Sequence, residues 1–295
     1  MKIISLNDLS KDDVGFAKAI GESLNDIGFF ALKDHGISPQ LIESCYSSAE
    51  AVFKLPIEEK IKYQTDGGRR GFTPFGTENA KGNNAADLKE FWQIGSKSSV
   101  YKNLWPSDCY PTFEKDMSSL YTGLDALSRT LMRSLALYLE LDPGFFESKI
   151  EGGESIVRVI HYPPVTEDMN PASIRAAAHE DINLITLLVN STSSGLQVLS
   201  NDGAWVNAPV DPGLIIVDSG DMIQNLTNGF LKSTTHRVIN PDNSRERRFS
   251  MPFFIHPRAD VDLSPIEKFR HADGRKNYPS ITAGEYLQQR LKEIG

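Results

Sequence analysis

The sequence predicts a mainly β fold with flanking helices, because its apolar residues follow different patterns on the two sides of Gly153. Before Gly153 they recur at helical spacing. After it, short runs rich in β-branched and aromatic residues alternate with turn residues, which is typical of a β-sandwich or barrel. These runs are SIVRVIHY, INLITLLV, GLQVLS, GLIIVD, HRVI and RFSMPFFI.

Two helices are expected near the N-terminus. Ser10 and Asp13 resemble a capping box, in which two side chains satisfy backbone amides of the first turn, and so predict the start of the first helix. Ser38 and Pro39 stand where the second helix needs a side-chain acceptor and a fixed φ. Each helix carries one apolar face, which we assign to the core.

The remaining helical and loop segments follow from composition and spacing. Residues 66 to 97 are glycine-rich and polar, which predicts a loop or lid. Residues 112 to 141 carry leucines at helical spacing and predict a long helix that backs the β region. Thr282 and Glu285 form another capping box, which predicts a short amphipathic helix at EYLQQRLKEI.

The composition favours a small molecule as partner. The 295 residues include 39 acidic and 31 basic side chains, so the formal charge of −8 gives no general attraction for nucleic acid or an anionic membrane. The sequence shows no signal peptide and no run near the roughly 18 apolar residues of a membrane span. Cys45 and Cys109 are too few for a disulfide framework, so a cytoplasmic location is expected. The sequence leaves the oligomeric state open.

A candidate metal site begins with His179 and Asp181. In an extended strand these two side chains project from the same side, while Glu180 faces away. His236, in the β-prone segment KSTTHRVIN, can complete a set of two imidazoles and one carboxylate. Such a set leaves positions open on iron(II), whereas structural zinc prefers four protein ligands and a zinc hydrolase needs a base, for which no candidate is obvious. The alternative for His179 is a surface histidine beside two acids.

Arg248 and Ser250 are also two residues apart in a strand-like run, RRFSMPFF, and therefore share a face. A guanidinium and a hydroxyl together suit a carboxylate ligand, through charge-assisted hydrogen bonds. The alternative is an arginine exposed on an edge strand.

Blocks of sequence along nearly the whole chain match one family in order and spacing. The chain resembles the isopenicillin N synthase-like branch of the iron(II)- and 2-oxoglutarate-dependent oxygenases. The N-terminal blocks are IISLNDL, DIGFFALKDHGI and AVFKLPIEEKIKY. The C-terminal blocks are VRVIHYPP, AHEDINLITLL, GLQVLSNDGAW, SGDMIQNLTNGFLKSTTHRV and RRFSMPFF.

The resemblance implies a distorted double-stranded β-helix, the jelly-roll type of core, packed against N-terminal and central helices. It divides the chain into four segments. Residues 1–110 would form the N-terminal region, 111–150 the backing helix, 151–258 the catalytic domain and 259–295 the C-terminal tail and helix.

The resemblance also implies the ligands of each cofactor. Iron(II) would bind to His179, Asp181 and His236. The distal carboxylate of 2-oxoglutarate would bind to Arg248 and Ser250, with a further hydroxyl from Tyr162.

Three further residues are considered beside these ligands. Ile160 stands two before the tyrosine, where many relatives carry asparagine. His161 is not expected to be a fourth ligand, because strand alternation turns it away from the co-substrate side. His35, in the KDHGI turn, matches a structural motif of the family and is expected to be a turn residue.

Proximity to the expected iron site suggests residues that line the substrate pocket. We predict substrate-binding roles for Phe72, Asn183, Phe253 and Arg69. Arg69 and its neighbour Arg70 could pair with an acidic substrate, although arginines in polar loops are more often solvated.

The implied activity is an oxidation of a small molecule by O2, by hydroxylation or desaturation, with 2-oxoglutarate converted to succinate and carbon dioxide. An iron oxidase of the isopenicillin N synthase type would use the same metal ligands without 2-oxoglutarate. An ethylene-forming enzyme would fragment 2-oxoglutarate itself. A non-catalytic binding protein on this fold is less favoured, because it would not need an open iron site.

Overall fold

The computed structural model describes residues 1–78, 86–166, 169–170, 173–189, 191–240, 245–271, 273 and 277–294. The helices are α1 (Asp13–Asp26), α2 (Pro39–Phe53), α3 (Ile57–Ile61), α4 (Thr112–Tyr138), α5 (Glu147–Ile150), α6 (Asp221–Leu226) and α7 (Ala283–Ile294). The strands are β1 (Lys2–Ser5), β2 (Phe29–Lys33), β3 (Gly71–Thr73), β4 (Glu90–Gly95), β5 (Ile156–Tyr162), β6 (Ala176–His179), β7 (Ile185–Val189), β8 (Leu196–Leu199), β9 (Trp205–Asn207), β10 (Ile215–Ser219), β11 (His236–Val238) and β12 (Arg248–Phe254).

The strands form two sheets that face each other. The larger sheet has the order β1-β2-β10-β7-β12-β5-β4-β3, and the smaller has the order β6-β11-β8-β9. One buried cluster joins Ile160 and Tyr162 of the larger sheet to Ala176 and Val238 of the smaller sheet. Apolar side chains therefore fill part of the space between the sheets, as in a jelly roll. The predicted mainly β fold with flanking helices is confirmed.

The long helix α4 covers the outer face of the larger sheet, as predicted. Phe113 packs edge-on against Trp92 of β4, and Tyr121 packs edge-on against Phe253 of β12, with ring centroids 5.6 and 5.2 Å apart. Burying a leucine side chain stabilises a fold by about 1.5–3 kcal/mol. The buried leucines of α4 are Leu120, Leu124, Leu127, Leu131 and Leu135.

In the described part of the chain, no helix is long and apolar enough to cross a membrane.

The cap of α1 differs from the prediction. Asp12, and not Ser10, is the N-cap, since its Oδ1 accepts a hydrogen bond from the Gly15 amide at 2.8 Å. Ser10 instead donates to the Asn7 carbonyl at 3.0 Å. Both residue types are good caps, so the sequence alone could not decide between them.

The other two predicted helix starts are confirmed. Ser38 accepts from the Leu41 amide at 3.4 Å at the start of α2. Thr282 and Glu285 form the reciprocal capping box of α7, because each accepts a hydrogen bond from the other's backbone amide.

The loop prediction for residues 66 to 97 is wrong in part. This segment contains β3 and β4, and β4 pairs with β5 along its whole length. All six residues of β4 are buried, so the strand lacks the alternation that would have revealed it. Residues 79–85 lie outside the described residues.

The N-terminal and catalytic segments share the larger sheet. Strand β2 pairs with β10, and β4 pairs with β5, so residues before 111 and after 150 form one hydrogen-bonded layer. The division of the chain into four segments therefore stays a prediction that is based on the sequence alone.

Candidate metal centre

His179 and His236 lie opposite each other on neighbouring strands of the smaller sheet. They are register partners in the β6–β11 pair, and their ring centroids are 4.4 Å apart. Together with Asp181 they form a cluster whose ligand atoms all lie within 4.8 Å of one another. The structure thus brings together the three predicted metal ligands.

Each histidine presents its Nε2 atom to the centre of the cluster. His179 Nδ1 donates to the Ala177 carbonyl at 2.7 Å, and His236 Nδ1 donates to the Thr234 carbonyl at 3.1 Å. Because a carbonyl can only accept, Nδ1 carries the proton, and the lone pair of a neutral ring lies on Nε2.

Asp181 faces both rings through one oxygen. Its Oδ1 is 3.8 Å from His179 Nε2 and 3.7 Å from His236 Nε2. Its Oδ2 accepts a hydrogen bond from the Thr186 hydroxyl, which in turn accepts from Asn183 Nδ2 at 2.8 Å. The carboxylate is therefore held so that a single oxygen points to the metal position.

The backbone around Asp181 is not the single strand predicted from alternation. Strand β6 ends at His179, and Asp181 lies in the irregular segment after it. The start of α6 holds this segment, since the Asp221 amide donates to the Asp181 carbonyl at 2.8 Å. A Cβ on Gly220 would lie 2.7 Å from the same carbonyl oxygen, so the close approach requires glycine.

The electrostatic environment favours neutral imidazole. Partial burial of His179 lowers its pKa to about 4, and the nearby His236 ring acts in the same direction. Burial also raises the pKa of Asp218 well above its usual range, with the charge of Asp181 as a second cause. Neutral imidazole is the form that binds a metal.

The donor set fits an iron(II) ion with open positions. Within the described residues, the cluster consists of two imidazoles and one carboxylate and includes no thiolate. This donor set matches a three-ligand facial site and not a closed tetrahedral zinc site.

The predicted carboxylate clamp is also assembled. Arg248 and Ser250 pair with Tyr162 and Ile160, respectively, across β12 and β5, so all four share one face. Arg248 is 1% exposed and donates from Nε to the Ser193 carbonyl at 3.2 Å, while its Nη1 is buried without a hydrogen-bond partner. The Nη1 atom of the guanidinium is thus available to donate to a ligand.

Two other histidines lie where the sequence placed them. His161 faces the helix side of the sheet, with Nδ1 2.9 Å from Glu90 Oε1 and its ring stacked on Phe249. His35 accepts a hydrogen bond from the Ile37 amide at 3.2 Å, in keeping with a turn residue.

Phe72 and Phe253 do not line the metal side, and their prediction as substrate-binding residues is wrong. Both are 0% exposed and belong to the core between the larger sheet and the helices. Phe72 packs beside Trp92, and Phe253 packs against Tyr121 of α4. Each side chain points to the face of the sheet opposite Arg248 and Ser250.

The structure shows other contacts for the remaining two predicted substrate residues, and a substrate-binding role of Arg69 stays a prediction. Asn183 is 0% exposed and supports Asp181 through Thr186, so its place is behind the metal cluster and not on an exposed pocket surface. The exposed Arg69 donates to the Tyr101 hydroxyl at 2.7 Å and lies over that ring. In the part of the chain that the structure describes, Arg69 forms no ion pair.

A charged network near the metal cluster was missed by the sequence analysis. Lys89 pairs with Glu78 at 3.2 Å and Asp87 at 2.9 Å, and Arg158 pairs with Glu78 at 3.2 Å. Arg158 stands four residues before Tyr162 in β5, so strand alternation could have placed it on the same face. The lysine and aspartate lie in the segment predicted to be a loop.

The C-terminal helix also reaches the metal segment. Arg290 of α7 pairs with Asp221 at 3.0 Å and approaches Glu180 at 3.9 Å. Glu180 stands between two metal-cluster residues and accepts a hydrogen bond from the Thr235 hydroxyl. This tether was not visible in the sequence, because the partners are far apart along the chain.

Comparisons with known proteins agree with this geometry. The profile of the 2OG-Fe(II) oxygenase superfamily matches residues 153–257, and that of the non-haem dioxygenase N-terminal region in morphine synthesis matches residues 1–108. Homoarginine-6-hydroxylase 2-ODD-C23.2 of Arabidopsis thaliana is 32% identical over 95% of this chain and 81% of its own.

Two solved structures share the whole fold. A crystal structure from Caulobacter crescentus, assigned to the 2OG-Fe(II) oxygenase family, has a TM-score of 0.87 at 39% identity and covers 99% of this chain and 98% of its own. A full-length protein of Neurospora crassa, solved in complex with alpha-KG and thymine, has a TM-score of 0.89 at 29% identity, covering 99% and 96%. Since both halves of the sequence match, and the structure contains the His-Asp-His cluster, the chain belongs to the 2OG-Fe(II) oxygenase superfamily.

Proposed function

We propose that His179, Asp181 and His236 bind the iron(II) of this oxygenase through two Nε2 atoms and one carboxylate oxygen. The observation that carries the assignment is that the other atom of each ligand is already used. Both Nδ1 atoms donate to carbonyls, and Asp181 Oδ2 accepts from Thr186. Iron(II) bound there activates O2 for an oxidation coupled to the conversion of 2-oxoglutarate into succinate and carbon dioxide.

We further propose that Arg248, Ser250 and Tyr162 hold the distal carboxylate of 2-oxoglutarate. A guanidinium that is 1% exposed is unfavourable without a counter-ion, and the enzyme's co-substrate carries one. Ser250 and Tyr162 present their side chains on the same face of the sheet, beside this cation. Arg248 then fixes the far end of the co-substrate while the metal holds the near end.

The substrate is proposed to approach beside His179. The His179 side chain is 34% exposed, whereas those of His236 and Asp181 are 11% and 7% exposed, so His179 marks the open side of the metal site. The charge of Lys89 lowers the pKa of the His179 imidazole, and His179 in turn lowers the pKa of Glu78. Glu78, which is 28% exposed, and Lys89, which is 11% exposed, are therefore placed near this side of the metal site.

These charged side chains support a small polar substrate. Glu78 joins Lys89 to Arg158, whose guanidinium carbon lies 4.3 Å from the Phe91 ring centroid. An apolar substrate would remove water from these charges without replacing its hydrogen bonds, which is costly. The relatives agree in kind, since one is named for homoarginine and another was solved with thymine.

Iron binding tests the metal ligands. His179→Ala, Asp181→Ala and His236→Ala should each lose stoichiometric iron(II) under anaerobic conditions while keeping the far-ultraviolet circular dichroism of the wild type. His271→Ala is the matched control, since His271 is outside the cluster. Full iron occupancy in any of the three ligand variants would remove that residue from the site.

The co-substrate is tested on the same anaerobic protein. Addition of 2-oxoglutarate to the iron(II) form should produce the weak visible charge-transfer band of a chelated 2-oxo acid. With substrate and O2, succinate should form in step with O2 uptake. Uptake of O2 without succinate would instead point to an oxidase of the isopenicillin N synthase type, and ethylene in the headspace would reveal fragmentation of 2-oxoglutarate.

A cytoplasmic location is also proposed. Cys45 and Cys109 are both free thiols, which a reducing compartment preserves. Fractionation of cells and detection of the untagged protein would test the location.

A further inference from the structure

A second buried arginine lies next to Arg248. Arg175 stands just before β6 and is 0% exposed. Its guanidinium carbon lies 6.0 Å from the centre of the Tyr162 ring, and that of Arg248 lies 5.0 Å from the same ring. Burial lowers the pKa of Arg175, and the charge of Arg248 is the next cause. The two cations therefore share one small region of the interior.

Neither arginine forms an ion pair with a described carboxylate, although the charge of Glu246 acts on Arg175 from a longer distance. Arg175 donates from Nη2 to the Glu246 carbonyl, but its Nε and Nη1 are buried without a hydrogen-bond partner, as is Arg248 Nη1. Among the residues that the structure describes, no carboxylate forms an ion pair with either guanidinium. Two buried positive charges with unused donors destabilise the interior unless a ligand supplies negative charge.

We propose that Arg175 is a second arginine of the co-substrate pocket, whose charge and unused N–H groups act on the same distal carboxylate as Arg248. The inference rests on the proposed 2-oxoglutarate site. Arg175 would then determine specificity, because a 2-oxo acid with a distal carboxylate is held by two cations and one without it gains nothing from either.

A purely structural role for Arg175 would have a different signature. Its hydrogen bond to the Glu246 carbonyl lies two residues before Arg248, so it could act only by fixing the start of β12. Arg175→Gln separates the two roles, because the amide can still donate to a carbonyl but carries no charge. Arg175→Lys restores the charge without the planar fork.

The experiment compares ligands that differ in the distal carboxylate. Binding of 2-oxoglutarate and of 2-oxobutyrate to the anaerobic iron(II) protein is measured by calorimetry, and binding of glutarate to the metal-free protein is measured by thermal shift. Arg175→Gln should weaken 2-oxoglutarate and glutarate by at least about tenfold, since a hydrogen bond to a charged group contributes roughly that factor. Affinity for 2-oxobutyrate should stay unchanged, and Arg175→Lys should recover part of the loss.

Arg237→Met is the matched control. Arg237 is an arginine of β11 that lies over Trp205 and donates to Gln197, and its replacement should leave all three ligands unaffected. Equal losses for 2-oxoglutarate and 2-oxobutyrate in Arg175→Gln would overturn the proposal in favour of an anchoring role, and unchanged affinities would overturn it outright. A wild-type protein that binds neither 2-oxoglutarate nor glutarate would show that the proposed co-substrate site itself has failed.

Discussion

Arg248 lies opposite Tyr162 in the register of β12 and β5, with its guanidinium carbon 5.0 Å from the centre of the tyrosine ring. A cation beside an aromatic face gains about 0.5–2 kcal/mol, depending on how far both are desolvated. The Arg248 Nε atom is also fixed by the Ser193 carbonyl. The arginine is therefore oriented before any carboxylate arrives.

Replacing this arginine should weaken the co-substrate selectively. Arg248→Met leaves a buried carboxylate without its partner, which costs roughly 2–5 kcal/mol, or at least about 30-fold in affinity. Tyr162→Phe keeps the ring and should cost only about 1 kcal/mol through the lost hydroxyl. Calorimetric titration of 2-oxoglutarate into the anaerobic iron(II) protein measures both. An unchanged affinity in Arg248→Met would place the carboxylate elsewhere.

Thr186→Val should weaken iron(II) binding while leaving the metal ligands in place. The valine cannot donate to Asp181 Oδ2, and loss of such a supporting hydrogen bond typically costs 10–100-fold in metal affinity. Competition with a chromophoric chelator measures the change. Thr130→Val on α4, whose hydroxyl donates to the Ala126 carbonyl far from the metal cluster, is the control and should have no effect.

Arg290→Met should loosen the metal segment from the C-terminal helix. Its effect on iron(II) affinity is expected to be smaller than that of Thr186→Val, roughly threefold to tenfold, because it acts through Asp221 and not on a ligand. Faster proteolysis near the C-terminus should accompany the change. Lys292→Met, an exposed position on the same helix, is the control. Equal behaviour of the two variants would exclude the tether.

Glu90→Gln should destabilise the fold without involving the metal. Glu90 pairs with Lys60 at 2.8 Å and with His161 at 2.9 Å, and all three side chains are less than one tenth exposed. Removing the carboxylate leaves a buried lysine uncompensated, which costs roughly 3–5 kcal/mol. Urea unfolding measures the loss. Glu59→Gln, which breaks the exposed pair with Lys62, should leave the urea midpoint nearly unchanged.

The metal-free protein should lose stability as the pH falls from about 6.5 towards 4. Burial lowers the pKa of His256 to about 4, so the unfolded chain, with a value near 6.5, takes up the proton first. The stabilising contribution of neutral His256 is therefore complete above pH 6.5 and is lost within this window. Urea midpoints near pH 7 and near pH 5 should differ less in His256→Gln than in the wild type. Equal differences would contradict the assignment.

The residues of the metal cluster and of the proposed carboxylate clamp could be predicted from the sequence. His179, Asp181 and His236 were found because metal ligands need specific residue types, and Arg248 and Ser250 because strand alternation places them on one face. The chain segments between them could be folded in many ways, so the jelly-roll type of core was implied only by the matching blocks of sequence.

Three of the substrate-binding predictions were wrong, for reasons that differ between them. Phe253 is an odd number of positions from Arg248 in the same strand, so alternation itself places it on the opposite face. Phe72 lies in β3, a strand that the glycine-rich surroundings concealed. Asn183 was close in sequence to Asp181, but closeness along a chain does not decide whether a side chain faces a ligand or the core.

Arg175 could not be found from sequence periodicity. It precedes β6, and the register of that strand shifts against β11, so alternation along it is interrupted. Its neighbours Tyr162 and Glu246 come from segments before and after the metal cluster, and only closure of the two sheets brings them to it.

The hydrogen bond from Thr186 to Asp181 also decides how many places remain on the metal. An octahedral ion has six coordination positions, of which three belong to the protein if Asp181 contributes one oxygen. A chelating 2-oxo acid would take two more, and the last would be free for O2. Were the carboxylate to turn and bind through both oxygens, that last place would be filled. By occupying Oδ2, the Thr186 hydroxyl would leave Asp181 one oxygen for the metal and would so keep that place open for O2.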